Sequence, residues 1–237
     1  RSYFQNITVW ENFSDNNVST LDSSGLINNV TSIKNLQQRS LSFRLYIDKK
    51  DDPLSPKKGY LLDLYLKSTG YLLGGERDYY KLDFSINNYF MISRKSVLAT
   101  RIKIGRLWAW EDSYNDYSYE KFYLGGSSNM RGWEILKYST VNNFGVIPVG
   151  GTHRFLTNVE FRNQINQNIG TTLFFDGGIL GANFDELKNS SLGWDVGIGL
   201  TISTPLGPVR LDYAVPQIDN KVNLGNGKIN FGVQYLF

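Results

Sequence analysis

Nine stretches of this chain alternate large apolar residues with polar ones at a period of two, and a tenth is aromatic and β-prone. Period two is the signature of a strand with two different faces. Leu41, Phe43, Leu45 and Ile47 alternate with Ser42, Arg44, Tyr46 and Asp48. Tyr60–Lys67, Tyr80–Asn87, Leu98–Ile104, Phe155–Arg162, Thr172–Ile179, Leu192–Ser203 and Val209–Val215 repeat the pattern. The last run carries Ile229, Phe231, Val233, Tyr235 and Phe237 on one face and Lys228, Asn230, Gly232, Gln234 and Leu236 on the other. Residues 2–13 alternate less cleanly but read as strand. Roughly ten strands result, most near the ~9–11 residues that cross a bilayer at a tilt.

The polar face is charged in strand after strand: Arg44, Asp63, Lys81, Asp83, Arg101, Lys103, Glu160, Arg162, Asp176, Asp195, Arg210 and Asp212. A soluble barrel would turn this face to water and fill its inside with the apolar face. That many large apolar residues would overfill a small interior. Turning the apolar face outward to lipid removes the volume problem and leaves the charged face lining a wet lumen. The connections support this. Those at 14–38, 68–78, 110–152, 180–191 and 216–227 are long. Ser93–Ser96, Ile165–Gly170 and Thr204–Pro208 are tight turns, and Lys49–Gly59 is intermediate. Outer-membrane barrels place short turns on the periplasmic side and long loops outside. Phe237 is then expected at the periplasmic end. The fold class predicted is all-β, a transmembrane antiparallel barrel.

Composition narrows the function. The chain has no cysteine, which excludes a disulfide scaffold, a thiol catalyst and a cysteine metal site. Net charge is +3 with both signs mixed, so nucleic acid is not an expected partner. Mean hydropathy is −0.31, which does not argue against a barrel, because membrane strands are apolar only at alternate residues.

One loop stands apart. Phe122-Tyr123-Leu124-Gly125-Gly126-Ser127-Ser128-Asn129-Met130-Arg131-Gly132-Trp133 combines glycines with aromatic residues and one cation. Gly125, Gly126 and Gly132 permit positive φ and close backbone approach. Tyr123 and Trp133 give the loop apolar bodies with polar handles. On residue type alone, a solvated Arg131 is the commoner reading. The alternative is a packed loop whose arginine has a fixed partner.

These residues carry a resemblance. Gly125-Gly126 and Met130-Arg131-Gly132-Trp133 resemble the RGF/Y motif loop of the BamA/TamA superfamily of outer-membrane assembly proteins. Asp52-Pro53, Pro56 and Gly59-Tyr60 resemble that family's turn before a long strand. Asn158–Arg162 and Phe174–Gly178 resemble two strands after the motif loop. Thr204–Ala214 resembles its closing hairpin, and Phe237 resembles its terminal aromatic signal. The likeness covers about residues 40–237.

The family fold is a barrel of about sixteen strands preceded by periplasmic POTRA repeats. The resemblance therefore implies that residues 1–237 are the C-terminal portion of such a barrel domain. The POTRA region and first strands are then expected ahead of Arg1 or on another chain. It further implies that the motif loop, with Gly125, Gly126, Arg131, Gly132 and Trp133, folds into the lumen, where Arg131 pairs with wall carboxylates. Glu160 and Asp176 share the lumen-facing parity on neighbouring strands and are the expected partners. Arg162 or Arg210 could instead claim those two acids. The terminal strand, with Phe231, Gly232, Tyr235 and Phe237, is the second implied site: a weak seam able to template an incoming strand. The implied function is insertion or translocation of outer-membrane proteins, with no cofactor. The implied partners are membrane lipids, unfolded outer-membrane protein substrates and accessory assembly subunits. The implied location is the cell outer membrane, with an organelle outer membrane as the alternative.

Enzymatic readings find little support. His153 is the only histidine and begins a strand, so triads have few candidates. The pairs Asp51-Asp52 and Glu111-Asp112 read as solvated loop acids. Gly74-Gly75 and Gly177-Gly178 read as turn and close-packing glycines, since no phosphate-binding motif surrounds them. Rival functions are a two-partner-secretion-type transporter for one substrate, a passive porin, or a barrel anchoring an upstream lipid hydrolase.

Overall fold

A computed structural model of the chain describes residues 2–14, 35–75, 77–109, 119–138, 150–189, 192–205, 207–218, 221–222, 224–233 and 235–237. The acids Glu111 and Asp112 lie outside the described residues. Nine long strands follow one another: β1 (Ser2–Ser14), β2 (Asn35–Asp48), β3 (Gly59–Thr69), β4 (Tyr79–Met91), β5 (Ser96–Ala109), β6 (His153–Gln164), β7 (Ile169–Gly181), β8 (Gly193–Thr204) and β9 (Gly207–Ile218). A one-turn-and-a-half helix α1 (Phe184–Asn189) sits in the β7–β8 connection. Each strand pairs antiparallel with the next, and β9 also pairs with β10 (Lys221–Val222) and β11 (Lys228–Val233). Among the described residues no ladder joins β11 to β1, so the barrel is not closed. Among the described residues no helix is long and apolar enough to cross a membrane. The structure is all-β, as the alternation predicts.

Register carries the two faces across the sheet. On the outer side Leu200 stands opposite Leu211, and Leu211 opposite Phe231. Their exposures are 44%, 51% and 67%. An apolar belt so exposed is what lipid contact requires. On the inner side Glu160 stands opposite Phe174, and Asn158, Asp176 and Asp195 form one row across β6, β7 and β8. Gly197 makes room in this wall, because a Cβ there would meet the Phe174 ring at 2.3 Å. The long connections gather at one end of the sheet and the short ones, including Lys49–Lys58, at the other. In the latter, the Asp51 carboxylate accepts backbone N–H groups from Asp52, Lys57 and Lys58. It is a turn organiser. Burial would raise its pKa, but the backbone donors win and lower it.

Two expectations need correction. First, the lumen is not wet at the level of the loop. Tyr79, Leu107, Leu156 and Leu180 of the wall pack with Phe122, Leu124, Met130, Trp133 and Tyr138 of the loop in one buried cluster. Second, the terminal strand stops early. Among the described residues the pairing of β11 ends at Val233 opposite Val209. The next β9 position is Pro208, which has no N–H to give a ladder. Tyr235 and Phe237, expected to continue the outer apolar face, leave the sheet. Phe237 packs inside against Tyr89, Val97 and Ala99.

Candidate functional site

The loop holds its shape by short-range bonds. Gly125 and Gly126 sit at φ 103° and 102°, in the left-handed half of backbone space that glycine tolerates best. The Asn129 side chain accepts the N–H groups of Gly125 and Met130 at 2.6 and 2.7 Å. Gly126 N–H reaches the Met130 and Trp133 carbonyls, both at 3.0 Å. Trp133 and Tyr138 meet edge to face with centroids 5.0 Å apart. Gly132 has no positive φ; its role is closeness. A Cβ there would lie 2.6 Å from Asp195 Cβ and 2.9 Å from the Pro216 nitrogen.

Arg131 is fully buried, at 0% exposure. Its Nε and Nη2 donate to the two oxygens of Asp176 at 2.8 and 2.9 Å. This is the planar two-bond fork that suits arginine to carboxylates. Its Nη1 donates to Glu160 at 2.7 Å and more weakly to Asp212 at 3.5 Å. The guanidinium lies over the Phe174 ring, 3.4 Å from the centroid, a cation–π stack in a desolvated place. The backbone joins in: Arg131 N–H donates to Asp176, and the Arg131 carbonyl accepts from Asn230 on β11. One residue therefore touches β6, β7, β9 and β11.

The structure brings Arg131, Glu160 and Asp176 together, and it also engages the rival cations. Glu160 receives Arg131 on one oxygen and Arg162 Nε on the other at 2.8 Å, with Arg210 4.0 Å away. Arg210 also lies 3.5 Å from Asp212. Asp195, fully buried, stands opposite Asp176 in the β7–β8 register. Three consecutive loop carbonyls are caught by wall donors: Ser127 by Arg210, Ser128 by Arg101 and Asn129 by Asn158. Among the described residues no group of three or more His, Cys, Asp or Glu side chains could hold a metal ion.

A second anchor lies at the loop's base. Glu120 accepts from Lys67 of β3 at 2.8 Å, and from Tyr79 and Lys81 of β4 at 2.8 and 2.9 Å. Tyr119 donates to Gln38 of β2. Burial would raise the Glu120 pKa, but Lys81 and Lys67 outweigh it and hold the carboxyl below its ordinary value. No period or motif in the sequence reveals this anchor. The one available signal was two lysines on the lumen parity of adjacent strands, Lys67 and Lys81, with no acid assigned to them.

The other predicted residues are dispersed. Phe231 faces outward, and Gly232 stands beside Arg210 within β11. Tyr235 and Phe237 lie inside the lumen. His153 touches Thr152 and Phe184, and among the described residues no acid pairs with its ring. Gly178 closes against the loop, where a Cβ would meet Leu124 at 2.7 Å and Met130 at 2.8 Å.

The Omp85 superfamily domain matches residues 5–237. The chain belongs to the Omp85 superfamily. Among its relatives is the outer membrane protein assembly factor BamA of Nitratidesulfovibrio vulgaris, 26% identical over 178 residues, covering 71% of this chain and 22% of that protein. Another is sorting and assembly machinery component 50 homolog B of Xenopus laevis, 26% identical over 194 residues, covering 75% of this chain and 41% of that protein. The chain thus spans less than half the length of these relatives. The crystal structure of BamA from Haemophilus ducreyi lacking POTRA domains 1–3 superposes with a TM-score of 0.65 at 18% identity. It covers 87% of this chain and 44% of that one, and shows the shared fold. This Omp85 chain is an outer-membrane β-barrel protein.

Proposed function

We propose that residues 1–237 are the C-terminal portion of an outer-membrane barrel that inserts or translocates other outer-membrane proteins, with further strands and POTRA repeats ahead of them in the whole protein. The observation that carries this reading is a loop locked to the terminal strand and the wall beside it. Arg131 ties the loop to β6, β7, β9 and β11. In the whole barrel β11 meets the preceding strands at a seam, and strand addition there needs that seam to open. The loop keeps the β11 side of the wall rigid while it does. No covalent chemistry and no cofactor is called for; backbone pairing supplies the driving force. The relatives named for outer-membrane protein assembly and for sorting and assembly support the same reading. A passive porin would need an open lumen, and the buried cluster of loop and wall side chains opposes that.

The test is depletion of the protein in its own cells, followed by quantitation of folded outer-membrane barrels by their heat-modifiable migration. A general fall is expected. Unchanged levels, or large steady conductance from the purified protein in planar bilayers, would refute the reading.

A further inference from the structure

The Asp51–Lys58 turn between β2 and β3 takes no part in the loop lock. It folds over the short-turn end of the sheet, where Pro56 is buried. Two acids build it, and both are turned to its backbone. Asp51 accepts the N–H groups of Lys57 and Lys58 at 2.8 and 3.0 Å. Asp52 accepts those of Leu54 and Ser55 at 2.8 and 2.7 Å. The turn so fixed brings Lys57 to a cavity of about 40 Å³ at the rim. Lys95 of the β4–β5 turn and Arg162 of β6 share its wall, with Gln164, Thr171 and Ser203. The backbone holds that wall: the Lys95 carbonyl accepts Gln164 N–H at 2.8 Å, and Ser203 N–H donates to Asn168 at 2.8 Å. Among the described residues no acid lines the cavity, and neither lysine ammonium has an ion-pair partner. Arg162 is 5% exposed. Its Nε donates to Glu160 at 2.8 Å and its Nη2 to the Phe237 main-chain oxygen at 3.0 Å. Among the described residues its buried Nη1 has no hydrogen-bond partner, a costly state for a charged donor.

We propose that Lys57, Lys95 and Arg162 form a binding site for a phosphate group at the short-turn rim of the barrel. The cavity has room for about three waters, which suits one tetrahedral anion and is too small for a peptide segment. Lysine engages phosphate as a point charge and arginine through its planar fork. The Thr171 and Ser203 hydroxyls and the Gln164 amide supply neutral donors for the remaining oxygens. Three cations drawn from two turns and a strand repel one another around an empty cavity, and an anion between them turns that repulsion into attraction. Phosphate can arrive free in solution or on a phospholipid headgroup. Ile169 and Ile202 stand opposite each other beside Thr171 and Ser203, exposed at the end of the outer apolar belt. They offer acyl chains a path when the phosphate belongs to a lipid. The site needs no client strand, so it holds whether or not the barrel assembles other proteins.

The experiment uses the purified full-length protein in a phosphate-free nonionic detergent. The probes are inorganic phosphate, dihexanoylphosphatidylglycerol and dihexanoylglycerol, each titrated by calorimetry. One saturable site is expected for a phosphate-bearing probe and none for dihexanoylglycerol. Lys57→Gln with Lys95→Gln should weaken that binding at least tenfold. Lys49→Gln with Lys58→Gln removes two charges from the same turn without touching the cavity wall, and should leave binding within twofold. Heat-modifiable migration checks that both variants fold. Tighter binding of the lipid than of inorganic phosphate assigns the site to a headgroup, and comparable affinity assigns it to free phosphate. No saturable site for either phosphate-bearing probe, equal losses in the two double variants, or dihexanoylglycerol binding that matches the lipid's would overturn the proposal. Binding is read on pure protein, so it stands or falls separately from the depletion result.

Discussion

Removing Arg131 tests the lock most directly. Arg131→Ala deletes the fork on Asp176, one of two cation contacts on Glu160 and the weak contact on Asp212. Breaking a buried ion pair by removing one partner costs about 3–5 kcal/mol, because the other charge is stranded. Here the survivors are unequal. Glu160 keeps Arg162, and Asp212 keeps Arg210 at 3.5 Å. Asp176 keeps the Asn158 amide at 2.7 Å and has Asp195 facing it. The penalty falls mainly on Asp176, so the lower end applies, about 3 kcal/mol. At tenfold per 1.4 kcal/mol, loop opening should become roughly 150 times more frequent. Amide hydrogen exchange reads such local opening. The amides to follow are Gly126, Trp133 and Tyr138, whose partners all lie within the loop. Arg131→Lys keeps the charge and loses the fork, so it should cost about 1.5 kcal/mol and roughly tenfold in protection. If Arg131→Ala leaves these amides protected to within threefold of the natural protein, the ion-pair lock is refuted.

Three further outcomes are expected. Glu120 is held below its ordinary pKa, so its anchor is complete above the usual glutamate value of about 4.3 and is lost as pH falls through the lower docked value. Exchange at Phe122, corrected for its intrinsic pH dependence, should therefore accelerate on acidification in the natural protein and show no such step in Glu120→Gln. Gly132→Ala should cost about 1–3 kcal/mol, since the new Cβ meets Asp195 and the Pro216 nitrogen; an unchanged thermal midpoint would show that this closeness is unimportant. Leu200→Arg on the outer belt should cost about 2–4 kcal/mol in refolding from urea into vesicles, and no loss there would reverse the assignment of faces.

Much of this architecture was legible beforehand because period two is a local property. Whether Leu200 or Thr201 faces out depends only on the pleat. The alternation of long and short connections likewise needs no partner to be read. The glycines and aromatics of residues 122–133 pointed to a packed loop, and the resemblance named two of the three acids that Arg131 meets, Glu160 and Asp176 but not Asp212. What remained hidden depends on curvature across the lumen. Arg101 and Leu236 are 135 positions apart, and Lys67 and Glu120 are 53 apart. No periodicity links such residues; only a sheet bent around a loop does.

The chain end shows where local reading stops. Alternation continues unbroken through Tyr235 and Phe237, so sequence alone put both on the lipid face. Pattern cannot register that β9 offers Pro208 just past Val209, nor that two arginines on β5 and β6 wait with ring-facing guanidinium groups across the interior. Sequence by itself determined the strands, their two faces, the ends at which the connections gather and the glycine-rich loop that carries Arg131. Tertiary structure alone decided how Arg131 divides among three carboxylates, that Glu120 pins the opposite wall, and that the last residues turn inward. The difference is physical. A strand's faces follow from each residue's own backbone geometry, whereas the pairing of buried charges is set by which distant side chains the curvature of the wall brings within three ångströms.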